Sequence, residues 1–91
     1  MALFGDVVLV SVQFPDTYAV KNRPVLVLFE DEGVLVVAGV TSKLKAKGVY
    51  VYRKEGATRD CVIRTNYVFT ISPNMVRKKL FTIPKDKQQL V

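Results

Sequence analysis

Two short polar segments in this 91-residue chain have the residue types needed to bind a phosphate. Arg23 stands directly before Pro24 at the start of one apolar run, and Thr41 with Ser42 closes the next. A guanidinium carries a fixed positive charge on a planar fork of donors, and a hydroxyl both donates and accepts hydrogen bonds. An arginine and a hydroxyl brought together at strand ends suit phosphate binding better than core packing.

The segment between these two runs, residues 31–33 (Asp-Glu-Gly), predicts how they align. We expect a three-residue hairpin loop, because such loops usually end in the left-handed region and glycine accepts that conformation. Counting back along the ladder from this loop places Arg23 opposite Thr41. Directly opposed residues share a face of the sheet, with Cβ atoms about 4.5–5.5 Å apart. A four-residue loop would instead put Thr41 on the other face, so the prediction depends on the glycine.

The elements that must position these groups are strands. Turn signals recur at the intervals typical of an all-β barrel or sandwich, and the longest runs are apolar enough to be buried on both faces. Ser72 with Pro73 predicts one helical turn, and Pro84 predicts another. We expect one all-β domain over residues 1–91 with at most these short helical turns. The predicted strands are residues 6–12, 24–29, 34–41, 48–52, 61–64, 67–71 and 80–83.

The chain is strongly basic, with 14 Lys and Arg against 8 Asp and Glu and a net charge of +6. A small domain with this charge is expected to meet an anionic partner, of which nucleic acid is the commonest, whereas a merely solubilising charge is the alternative. The four tyrosines offer faces for stacking unpaired bases, or else pack half-buried on the barrel. The basic clusters are Lys43, Lys45 and Lys47, which would line one edge if extended; Arg53 and Lys54; and residues 77–79.

Several kinds of chemistry are excluded by composition. Histidine is absent and Cys61 is the only cysteine, so the chain has no intrachain disulfide, no zinc site and no ordinary neutral-pH acid or base. We expect no metal and no cofactor, with any reaction running on the remaining polar side chains. We also expect no signal peptide and no membrane span, because no apolar run approaches the ~20 residues that a bilayer requires. The cytoplasm is therefore the expected location.

Two further places are candidates for a site. The loop over residues 13–22 is long for a small domain and carries Tyr18; it is either a binding loop or a passive connection packed on the core. Arg64 and Asn66 would lie on one face about 7 Å apart if their strand continues. Arg64 would then offer a second planar fork to a phosphate, or else pair with an acid on the exposed barrel surface.

Taken in order, these motifs resemble the PemK/MazF family, the toxins of bacterial and archaeal toxin–antitoxin pairs. Residues 5–10 look like the family's opening strand, and residues 21–28 are similar to its Lys-x-Arg-Pro-x-Leu-Val-Leu segment. Residues 40–42 resemble its Val-Thr-Ser strand end, and residues 62–71 its Val-Arg-x-Asp-Gln…Thr-Ile segment. The resemblance covers nearly the whole chain and implies a small SH3-like barrel.

The resemblance also implies a function. The family members are homodimers, are paired with an antitoxin protein, and cleave single-stranded mRNA at specific sequences without a metal ion. The products are a 2′,3′-cyclic phosphate and a 5′-OH. The resemblance implies that Arg23 and Thr41 are catalytic and that Arg64 assists. The expected substrate-binding residues are Tyr18, Ser42, Lys43 and Asn66.

Two departures from the family pattern bear on the alternative functions, the first for one of them and the second against the other. Asn66 stands where several members carry Asp, and an amide cannot act as a base, which favours an inactive barrel that only binds nucleic acid. Family members usually end in an amphipathic helix, which in this chain is expected to extend over residues 84–91 at most. A gyrase-inhibiting toxin of the CcdB type would act through protein contacts and needs no Arg–Thr pair, but it depends on that helix.

Overall fold

The computed structural model describes residues 4–13 and 20–91 of the chain. The strands form one six-stranded sheet with the order β4-β5-β3-β2-β1-β6, in which every neighbouring pair is antiparallel. Single 3-10 turns at Arg53–Glu55 and Pro73–Met75 precede β5 and β6. The elements are β1 (Asp6–Gln13), β2 (Val20–Asp31), β3 (Val34–Thr41), β4 (Val49–Val51), β5 (Cys61–Ile71), β6 (Val76–Thr82) and the short helix α1 (Lys85–Gln88).

Both faces of the sheet are buried, because successive residues of the central strands are apolar. Along β2, Leu26 packs into one core cluster, and its neighbours Val25 and Val27 pack into the other. The first cluster consists of Val7, Leu26, Ala38, Val51, Ala57, Cys61, Ile63 and Ile83. The second cluster consists of Val8, Val10, Val25, Val27, Leu35, Val37 and Ile71.

The C-terminal part of the chain brings the two edges of the sheet together. Ile83, directly after β6, lies in the first cluster with Val51 of β4, although β4 and β6 are opposite edge strands. Lys87 of α1 adds a 3.7 Å ion pair to Glu55. Register shifts between β1 and β6 and between β3 and β5 bend the strands locally. The fold is therefore the small all-β, barrel-like fold that the sequence predicts.

The strand bounds show where sequence patterns were misleading. The strands predicted separately at 61–64 and 67–71 form one strand, β5, although its pairing with β3 skips residues 65–67. The predicted strand at 80–83 begins earlier, at Val76, because β6 also includes the exposed charged residues 77–79. The two ends of the predicted loop at 13–22 belong to β1 and β2. The helical turns predicted at Ser72-Pro73 and Pro84 are confirmed as the Pro73–Met75 turn and α1.

The hairpin between β2 and β3 corrects a second prediction. Its loop has two residues, Glu32 and Gly33, because Asp31 pairs directly with Val34. Both loop residues have positive φ, 48° for Glu32 and 85° for Gly33, as a type I′ turn requires. The predicted three-residue loop is wrong because a non-glycine residue also occupies the left-handed region here.

A β-bulge at Leu28 nevertheless restores the predicted alignment farther along the hairpin. The extra residue on β2 shifts the pairing by one position, so that Val25 pairs with Gly39. The β2–β3 ladder ends at Val25 and Gly39. The same register extended by two residues would bring Arg23 opposite Thr41, and it results from a two-residue turn and a bulge rather than from the predicted three-residue loop.

The turn geometry predicts opposite effects for two substitutions. Glu32→Asn should raise the free energy of unfolding modestly, because Asn tolerates left-handed backbone and Asn-Gly is favoured in type I′ turns. Gly33→Ala should lower the free energy of unfolding by about 1–2 kcal/mol, the cost of a Cβ in that region. Among the described residues other than Glu32 and Val34, no heavy atom lies within 4 Å of the Cβ position at Gly33, so a steric clash would not contribute. Urea denaturation measures both; an unchanged midpoint for Gly33→Ala would contradict the observed turn.

Candidate functional site

Arg23 and Thr41 lie in neighbouring strands, each two residues beyond the last β2–β3 pair, Val25 with Gly39, and with their partners on the outer strands they define a row of residues. Arg23 pairs with Val10 of β1 on one side, and Thr41 pairs with Val62 of β5 on the other. Val62 in turn pairs with Tyr50 of β4. Directly opposed residues share a face, so the row lies on the face of the second core cluster. The cross-strand register therefore places an arginine, a hydroxyl and a tyrosine along one line.

Arg23 and Thr41 differ in how they are held. Arg23 is exposed, and Thr41 is half-buried. The Thr41 hydroxyl accepts a hydrogen bond of 3.1 Å from the backbone N–H of Lys43. Its own proton can therefore be donated to a ligand. The row combines a fixed positive charge with an oriented hydroxyl donor, which is what a phosphate oxygen requires.

Arg64 lies in the next row along the same face. It pairs with Gly39 of β3, and Gly39 pairs with Val25 of β2 on the other side. Gly39 is two residues from Thr41, which corresponds to about 7 Å along a strand. The Arg64 side chain is exposed. The sheet therefore brings the three residues predicted to be catalytic to one face.

A wide bulge in β5 follows Arg64. Gly39 pairs with Arg64 and Ala38 pairs with Val68, so the β3–β5 register skips residues 65–67. Asn66 is exposed within this bulge. The expectation that Arg64 and Asn66 share a face assumed a regular strand, and the bulge removes the alternation on which that expectation rested.

The bulge places Tyr67 over Gly39. Its Cδ2 lies only 2.8 Å from the position that a Cβ on Gly39 would occupy. The guanidinium carbon of Arg64 is 5.3 Å from the centroid of the Tyr67 ring. The centroid of the Phe69 ring is also 5.3 Å from the Tyr67 centroid, and the two ring planes are tilted by 39°. Sequence reasoning missed this arrangement. The available signal was a glycine inside an apolar strand, which often marks the close approach of another group.

The segment after β3 carries the other predicted substrate-binding residues. Ser42 and Lys43 are exposed, and the chain turns at Lys43, whose carbonyl accepts a hydrogen bond of 3.0 Å from Ala46 N–H. The Tyr50 hydroxyl donates to the carbonyls of Leu44 and Ala46 at 3.2 and 3.4 Å. The lysines at 43, 45 and 47 are therefore exposed on a turn rather than along an extended edge. The remaining predicted residue, Tyr18, lies outside the described residues.

Two other polar groups lie on the face opposite Arg23 and at the β4 edge. Ser11 pairs with Asn22, which places both on the face opposite Arg23, and the Ser11 hydroxyl donates to Asn22 Oδ1 at 2.8 Å. Arg77 Nε donates to the Ser11 hydroxyl at 2.8 Å, so this arginine is engaged on that opposite face. At the β4 edge, Lys54 and Lys87 lie over the Tyr52 ring, 5.8 and 5.6 Å from its centroid.

The sequence of the chain matches one known protein family along nearly its whole length. The family model of the PemK-like, MazF-like toxin of type II toxin–antitoxin systems matches residues 4–91. The chain belongs to this toxin family. Membership implies a toxin role and an antitoxin partner. No curated protein matches the toxin significantly. In the described residues of the toxin, no helix has the length and apolar character needed to cross a membrane.

The Thr41–Lys43 hydrogen bond can be tested separately from any activity. Thr41→Val removes the acceptor while keeping the shape of the side chain, so the Lys43 amide should exchange with deuterium faster in this variant of the toxin. Thr41→Ser keeps the hydroxyl and should leave the exchange rate near that of the parent. Amide exchange followed by NMR makes the measurement. Equal protection of Lys43 in the parent and in Thr41→Val would show that the hydroxyl is not held by this bond.

Proposed function

We propose that this toxin is an endoribonuclease that cleaves single-stranded mRNA at specific sequences without a metal ion. The placement of Arg23 and Thr41 on one face of the sheet, just past the end of the β2–β3 ladder, supports this proposal most directly. Arg64 in the adjacent row and the toxin family of the chain add to it. The chain has no histidine, so the proposal relies on fixed charge and hydroxyl groups.

The proposed reaction is an internal transfer within the RNA. The ribose 2′-oxygen attacks the adjacent phosphorus while the bond to the 5′-oxygen breaks. The 2′-OH proton passes to the solvent, and the departing 5′-oxygen takes up a proton from the solvent. The products are a 2′,3′-cyclic phosphate and a 5′-OH, so atoms and charge balance without an added nucleophile.

Arg23, Thr41 and Arg64 have separate roles in this reaction. Arg23 stabilises the additional negative charge that develops on the non-bridging oxygens in the transition state. Thr41, held by the Lys43 N–H, donates its proton to one of these oxygens or positions the 2′-OH. Arg64 supplies a second guanidinium from the next row. We assign substrate binding to Ser42, Lys43, Asn66 and Tyr18.

The proposal includes the state in which the toxin acts. It acts as a homodimer of single-domain subunits, each spanning residues 1–91, and it acts in the cytoplasm, where its mRNA substrate is found. A barrel that binds RNA without cleaving it is the second candidate, and the observation that favours it is Asn66 in place of a family Asp.

Arg23→Ala should lower the rate of RNA cleavage by about 10²–10³-fold, by analogy with the loss of one preorganised transition-state donor. The fold should survive, because the Arg23 side chain is exposed and its loss opens no cavity. The assay follows a single-stranded RNA with EDTA present and identifies the product ends. Arg77→Ala is the matched control, since Arg77 is an exposed arginine engaged on the opposite face. Cyclic-phosphate products formed by Arg23→Ala at the parental rate would refute the assignment.

Asn66→Asp is the companion variant in the same assay. If Arg23 and Thr41 carry the reaction, this change should leave the rate near that of the parent. A rise of about 10²-fold or more, the typical contribution of general acid–base catalysis, would show that Asn66 has disabled an acid or base. That result would favour the second candidate for the parental chain.

The affinity for single-stranded RNA should fall with salt, and the lysines of the turn after β3 should carry part of that dependence. Each contacted phosphate contributes about 0.7 to the slope of log K against log salt concentration. Changing Lys43, Lys45 and Lys47 to Gln should therefore reduce the slope by about two. A triple Gln variant at Lys54, Lys85 and Lys87 carries the same charge change and should keep the parental slope. Equal slopes for both variants and the parent would show that the turn lysines do not contact RNA phosphates.

A further inference from the structure

We propose that Tyr67 forms a binding site for one unpaired nucleobase beside the Arg23–Thr41 row. The ligand class rests on the proposed function, because a base is expected there only if the toxin binds single-stranded RNA. The geometry of the site does not depend on cleavage. It depends on the bulge in β5, which takes Tyr67 out of the ladder and lays its ring on Gly39.

One edge of the ring is held against the sheet. The Cδ2 and Cε2 atoms of Tyr67 lie 2.8 and 3.4 Å from the position of a Cβ on Gly39. Gly39 does not belong to the glycines with positive φ, so its backbone does not itself require glycine. The absence of a side chain at Gly39 instead makes room for the ring. An aromatic ring seated in this way is already ordered before a ligand arrives.

The ring is also available to a ligand. Tyr67 is 51% exposed even though its ring lies over Gly39, and Val68 beside it is 49% exposed. Phe69 supports the ring from one side at 5.3 Å. Unpaired bases bind to such rings by stacking, which is tolerant of sequence because every base has a π-face. The exposed part of Tyr67 therefore offers a platform of the kind that single-stranded RNA uses.

The surroundings favour a nucleotide over an uncharged apolar ligand. The Arg64 guanidinium carbon is 5.3 Å from the ring centroid, close enough for cation–π attraction and for contact with a phosphate of the same nucleotide. Gly39, under the ring, is two residues from Thr41 on the same face, or about 7 Å. A base stacked on Tyr67 thus belongs to a nucleotide next to the phosphate that the row would bind.

The first test measures the affinity of the intact toxin for a single-stranded 2′-deoxy oligonucleotide of mixed sequence, which cannot undergo the proposed cleavage. Tyr67→Ala should weaken binding about tenfold, a loss typical of one stacked base. Tyr67→Phe should bind like the parent, because it retains the ring. Phe29→Ala is the matched control, since Phe29 is a similarly exposed aromatic residue (55%) six residues along β2 from Arg23, and it should change little.

A double-mutant cycle tests the seat on the sheet. Gly39→Ala adds a Cβ where the ring now lies, so it should displace the ring and weaken binding by a similar factor. In the Tyr67→Ala background no ring lies over Gly39, so adding Gly39→Ala should not weaken oligonucleotide binding further. Thermal unfolding of all four proteins controls for loss of fold. Additive losses from the two substitutions would overturn the proposal that Gly39 acts through the ring.

The other outcomes separate this proposal from the ribonuclease. Parental affinity in Tyr67→Ala, no binding of the oligonucleotide by the parent, or slower RNA cleavage with unchanged binding would each overturn the stacking site. Weaker binding of an antitoxin peptide with unchanged oligonucleotide affinity would assign the ring to the antitoxin and overturn it as well. A toxin that binds through Tyr67 but does not cleave RNA would support the stacking site and refute the ribonuclease alone.

Discussion

The alignment of β2 with β3 is the constraint on which the candidate site depends. A two-residue turn alone would pair Arg23 with Ser42 and leave Thr41 on the opposite face of the sheet, because a shift of one residue reverses every side chain. The bulge at Leu28 adds the missing position. The bulged residue, Leu28, also packs against the first core cluster. Core packing and the Arg–Thr juxtaposition are therefore satisfied by the same irregularity.

A second irregularity acts on the other side of β3. The bulge in β5 leaves Arg64 in register with Gly39 but lifts the next three residues out of the ladder. As a result, Tyr67 is placed above Gly39 rather than beside it, and its ring contacts the charged face of the sheet. Bulges commonly redirect side chains near functional sites. Here the strand between the two bulges is the common reference from which both Arg23 and Tyr67 are positioned.

The sequence predicts the strands better than the site, and the reason is the burial of both faces. Apolar composition was enough to predict β3 at its observed bounds, Val34–Thr41. The same composition concealed the bulge, because a strand without polar alternation gives no sign of a shifted register. The predicted three-residue loop and the observed turn with its bulge produce the same offset, so the Arg23–Thr41 alignment was reached through a wrong intermediate. The contact of Tyr67 with Gly39 joins distant segments, and local patterns do not encode it.

In the row that carries the candidate site, the residues that stabilise the fold differ from the residues that could contact a substrate. Val10 and Val62, the neighbours of Arg23 and Thr41, are fully buried at 0% exposure, whereas Arg23 is exposed. The ladder and the core thus fix the backbone from which the polar groups project, and those groups contribute little to packing. A fixed backbone under the charged side chains limits the reorganisation that they must undergo when they meet a substrate phosphate. Gly39 is the exception in this face, since a change there would disturb the strand and the ring above it together.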